Sequence, residues 1–79
     1  MDYKGFNNWL IENKGMSKRS AMDILSRCRR ACRWLNIETI KKNTKEKLVG
    51  NSNYENSSMC VKSQVKRAVS LWLEYNSGK

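Results

Sequence analysis

The chain has 79 residues, 39% hydrophobic and 29% charged, with neither proline nor histidine, which gives room for one small core and a mixture too apolar for a disordered tail. Sixteen Lys and Arg against seven Asp and Glu leave a formal charge of +9, an imbalance that costs self-repulsion and points to a polyanionic partner, nucleic acid ahead of an anionic membrane surface. The missing histidine removes Ser-His and Cys-His nucleophile pairs, His-ligated zinc and imidazole acid–base catalysis, and three cysteines cannot close a four-thiolate zinc site.

The first predicted helix runs from about Tyr3 to Asn13. Phe6, Trp9 and Leu10 recur there at the i, i+3, i+4 spacing of one face, and Gly15 is placed to stop it. Ser17 reads as the N-cap of a second helix, Lys18 to Leu35. At about 100° per residue its Ala21, Ile24, Leu25, Cys28, Ala31, Cys32 and Leu35 fall within a sector of about 120°. Lys18, Arg19, Asp23, Ser26, Arg27, Arg29, Arg30 and Arg33 occupy the opposite half.

Ile37, Ile40, Leu48 and Val49 suggest a short third helix from about Thr39 to Val49. Residues 50–58, GNSNYENSS, lack an apolar face and are rich in turn and cap formers, which predicts an exposed loop. A last helix is expected from about Met59 to Tyr75. Its apolar set, which includes Cys60, Val61, Val65, Ala68, Val69, Leu71, Trp72, Leu73 and Tyr75, covers more than half the wheel, so it passes among the other helices or meets a partner.

Charge is unevenly placed. Residues 1–13 carry net −1, residues 14–47 net +8 and residues 48–79 net +2. Five arginines and a single acid share the second helix, which reads as a phosphate-binding face, since guanidinium groups bond phosphate oxygens or guanine edges in pairs. The plainer reading is a solvated helix back. Cys28 and Cys32 stand four apart, a ligand-like spacing, but read as core, because free cysteine is among the most buried residue types. Trp9 and Trp72 also read as core. Trp34 lies on the polar side, near Arg27 and Arg30 on the wheel, and reads equally as a core residue or a base-stacking one. Met22 reads either as a contact to a thymine methyl or as an exposed methionine.

Residues 17–35, SKRSAMDILSRCRRACRWL, resemble the second helix of the SAM-like core-binding domain of phage-type tyrosine recombinases, with its S-x-x-T, L-x-x-F and closing W-L pattern. Residues 62–75, KSQVKRAVSLWLEY, resemble that domain's last helix, and Phe6 with Trp9 and Leu10 its opening F-x-x-W-L. The resemblance spans almost the whole chain in the family's order, while the asparagine-rich stretch 43–56 departs from the family's third helix. It implies a four-helix module that clamps duplex DNA together with a separate catalytic domain. The family's DNA-facing positions fall here on Ser20, Met22, Asp23, Ser26, Arg29, Met59, Lys62 and Ser63. Asp23 has the wrong sign for phosphate unless it accepts from cytosine or orients an arginine. The family's catalytic tyrosine and its partners belong to the other domain.

The expectation is therefore an all-α, single-domain chain over residues 1–79, a small four-helix SAM-like orthogonal bundle and the N-terminal part of a longer recombinase or integrase. Its expected DNA contacts are Lys18, Arg19, Ser20, Met22, Ser26, Arg27, Arg29, Arg30, Arg33, Lys62, Ser63, Lys66 and Arg67. Duplex DNA, the catalytic domain of the same parent chain and a recombinase oligomer on DNA are the expected partners, with no membrane, metal or other cofactor. Catalysis by this chain alone is not expected: Tyr54 is placed in a loop, Tyr3 near a terminus and Tyr75 on an apolar face. An odd number of cysteines and no secretory leader suggest reduced thiols in the cytoplasm, in a bacterial or phage-encoded protein. The alternatives are a protein-interaction adaptor using the last helix's apolar face, and a free-standing DNA-binding regulator on the same scaffold.

Overall fold

The computed structural model describes residues 3–77, which form α1 (Tyr3–Lys14), α2 (Lys18–Leu35), α3 (Thr44–Leu48), α4 (Ser52–Glu55) and α5 (Met59–Ser77). The all-α class follows the sequence reading, and α2 has the expected bounds. Ser17 is its cap, with Oγ accepting from the Ser20 amide at 3.2 Å. At the other end Asn36 takes a left-handed conformation (φ 54°), and the Ile37 amide reaches back to the Cys32 carbonyl at 3.0 Å. That closure satisfies carbonyls the helix leaves open and turns Ile37 onto the core. Gly15, at φ +64°, ends α1 as expected, since a residue with a Cβ is strained there.

The main packing is α2 along α5, with α1 laid against both. Ala21, Ile24, Cys28, Ala31 and Cys32 of α2 meet Val65, Ala68, Val69 and Trp72 of α5 in one buried cluster. Ala21, Ala31 and Ala68 are fully buried, and side chains that small let the helices come close. Phe6 packs edge-on against Trp72 with ring centroids 5.0 Å apart, and Trp9 and Tyr75 extend the aromatic group to the surface. Cys28 and Cys32 lie in the core, and Cys28 Sγ donates to the Ala68 carbonyl at 3.4 Å. The middle of the wide apolar face expected of the last helix is buried by the chain itself, while Val61, Leu73 and Tyr75 are partly covered and Met59 and Cys60 at its start are exposed.

Two expectations for the middle of the chain need correction. The helix expected from Thr39 starts only at Thr44. Before it, the chain makes a tight turn in which buried Thr44 Oγ1 accepts from the Lys41 amide at 2.7 Å, and Trp72 Nε1 donates to the Ile40 carbonyl at 3.3 Å. The stretch 50–58 is not simply an exposed loop. It holds α4, and Tyr54 is 3% exposed against the core. A four-residue helix cannot repay nucleation by itself; this one is held by Asn51. Asn51 Oδ1 caps the Tyr54 amide at 3.2 Å, and its Nδ2 donates to the Trp34 carbonyl at 2.9 Å. The expected four helices thereby become five.

Candidate nucleic-acid interface

The outer half of α2 is a cationic crest. Arg19, Ser26, Arg30 and Arg33 stand along its middle and are exposed, as are Lys18, Ser20, Met22 and Arg29 beside them. Arg27 is half-buried, because the wheel places it at the edge of the apolar sector, one turn from buried Ile24 and Ala31. None of the five arginines pairs with a carboxylate of a described residue. Among the described residues the ion pairs are Lys14 with Glu74 at 2.8 Å and Lys62 with Glu55 at 4.0 Å, both away from the crest. Among the described residues, no carboxylate takes up the donors of the crest's arginines.

A hollow flanks each side of the crest. Where α2 meets α5, Ser20, Asp23 and Arg27 join Arg67, with Met16 and Ile24 at the base, in a cleft of about 230 Å³. Where α2 meets α1, Ser26, Arg29 and Arg33 gather around Tyr3 and Cys32. The Arg29 guanidinium lies over the Tyr3 ring, 4.6 Å from its centroid, which restricts the side chain while leaving its N–H edge free to donate.

Not every expected contact joins this surface. Ser63, Lys66 and Arg67 are exposed on α5, but Lys62 is half-buried and turned to α4, between Glu55 and the Tyr54 ring, whose centroid is 5.7 Å away. Trp34, left open on sequence alone, is half-buried with its ring 6.4 Å from that of Tyr54. It serves as the wall on which α4 rests. The sequence reading missed Tyr3 as the support of Arg29, because an i-to-j contact between two helices leaves no periodic signal. It also left out exposed Lys41, Lys42, Lys45 and Lys47, for which net charge was the only pointer.

The two buried thiols are not ionised groups of this surface, although Cys32 lines the α1–α2 hollow. Burial, and then the neighbouring Cys32, pushes the Cys28 thiol up to about 12, and burial raises Cys32 as well. Both stay protonated at neutral pH, and the described residues hold no cluster of three or more potential metal ligands. No described helix is long and apolar enough to cross a membrane. No protein-family model, curated protein or solved structure matches the chain.

Proposed function

We propose that this chain is a duplex-DNA-binding module that grips phosphates with the crest of α2 and the neighbouring part of α5, as in the core-binding domain of a tyrosine recombinase or integrase. The observation that carries the reading is the set of five α2 arginines on one half of the helix, four of them exposed and none paired with a described carboxylate. Such unpaired donors fit a partner that brings its own dense negative charge. The motif order along the chain supports the recombinase assignment. Val65, Ala68, Val69, Leu71 and Trp72 of α5 are buried in the fold, which favours the DNA-binding reading over one that needs the whole apolar face of α5 for a partner. In this reading a catalytic domain elsewhere in the parent protein completes the clamp, and the chain alone makes no covalent bond to DNA.

Fluorescence anisotropy with a labelled duplex tests the proposal. If about five phosphates are neutralised, log K falls against log salt with a slope of roughly −4 to −5, and affinity at physiological salt is in the micromolar range. Arg30→Ala and Arg33→Ala weaken binding by similar factors on unrelated duplexes, as expected of phosphate contacts. Absence of binding at about 50 mM salt, where counterion release is strongest, refutes the reading.

A further inference from the structure

Asp23 is the one acid on α2, and the fold does not tuck it away. It is exposed, makes no hydrogen bond or ion pair with a described residue, and lines the α2–α5 cleft with Ser20, Arg27 and Arg67. For phosphate binding alone this carboxylate is a defect, because it repels the backbone from the middle of a cationic surface. For reading a base pair it supplies what arginines lack. The major-groove edge of a C·G pair presents a hydrogen-bond donor, cytosine N4–H, beside two acceptors, guanine O6 and N7. A carboxylate accepts from the first and a guanidinium fork donates to the other two. Arg27 suits that task better than the exposed crest arginines, since it is half-buried and its head has fewer positions open to it. Arg67 enters the same cleft from α5, so the two cations come from separate helices and their placement depends on the packed α2–α5 pair.

The geometry points to the α2–α5 cleft as a base-reading site, with Asp23 and Arg27 selecting a C·G pair while the crest holds phosphates. This rests on the DNA-binding reading above. Its test is selection from a pool of duplexes with a randomised central segment, together with the affinity of each variant for the unselected pool. The wild type enriches a C·G pair at one fixed position by about fivefold or more, the lower range of a good bidentate base contact. Asp23→Ala, which removes both the charge and the acceptor, binds the unselected pool more tightly and loses the enrichment. Arg27→Lys keeps the charge, holds the pool affinity within about twofold, and lowers the enrichment, because an ammonium lacks the planar fork that fixes both bonds to guanine. Circular dichroism confirms that both variants keep the helical fold. Enrichment by Asp23→Ala equal to that of the wild type overturns the inference, as does a wild type that binds the pool with no positional preference, and either result leaves the phosphate-binding proposal standing. A wild type that binds no duplex at low salt overturns both.

Discussion

Removing the Asn51 side chain tests whether α4 is held by its contact to α2 or merely rests there. In Asn51→Ala the Tyr54 amide loses its cap, and the Trp34 carbonyl loses the donor 2.9 Å away. A lost N-cap costs about 1 kcal/mol, and a part-buried hydrogen bond about another 1 kcal/mol. Together they amount to about 2 kcal/mol of the roughly 4–12 kcal/mol that a chain of this size commands. At about 4–8 °C per kcal/mol the melting temperature drops by about 8–16 °C, read by far-ultraviolet circular dichroism. Asn51→Ser separates the two bonds, since its hydroxyl still caps the amide but cannot reach the Trp34 carbonyl. It falls about half as far. Asn51→Ala melting within about 2 °C of the wild type refutes the role given to this side chain. Asn51→Ser melting with the wild type assigns the whole effect to the cap and removes the bond to α2 from the account.

Two further outcomes follow from the core. Leu10→Ala, at a fully buried position, costs about 2–5 kcal/mol in denaturant unfolding, whereas Arg30→Ala and Arg33→Ala stay within about 0.5 kcal/mol; arginine changes as damaging as Leu10→Ala place the crest in a structural network. The Cys28 thiol, raised by burial and then by Cys32 from 9.0 to about 12, keeps in the folded state a proton that the unfolded chain releases. Its contribution is therefore whole below about pH 9 and lost as pH rises toward about 12, at up to about 1.4 kcal/mol per pH unit. Cys28→Ala flattens that alkaline limb of the stability profile, and a limb of unchanged slope in the variant refutes the attribution.

The legible and illegible parts of this chain divide by the range of the forces involved. Both ends of α2 are set within a few residues of themselves, by Ser17 and by the turn at Asn36, and its core stripe repeats every three or four residues; a single sequence carries all of this. The crest arginines were legible for the same reason, because a helix with one apolar half dictates what its other half exposes. α3 and α4 are too short to form on propensity, and α4 depends on Asn51 and Tyr54 meeting Trp34 of α2. Trp34 on a polar stripe was the available sign that something must cover that stripe. The meeting of Asp23 and Arg27 with Arg67 depends on the axial alignment of α2 with α5, which neither helix's own pattern encodes. Tyr3 beneath Arg29 is hidden from the sequence for the same reason.

The crest of α2 also has a length. From Arg19 to Arg33 there are 14 residue steps, and at 1.5 Å per step the outermost guanidinium attachment points lie about 21 Å apart along a rigid axis. The major groove of B-DNA is about 12 Å wide. A rod that long cannot sit across such a groove with both ends engaged. If duplex DNA is the partner, α2 must run lengthwise along it, where about 21 Å corresponds to some six base-pair steps. The duplex meanwhile turns through more than half of its helical repeat, so a straight helix follows the floor only part of the way and its two ends come up against opposite banks. Arg19 and Arg33 would then engage different strands, and neutral methylphosphonate linkages placed in one strand would weaken the grip of one end of the helix while leaving the other in place.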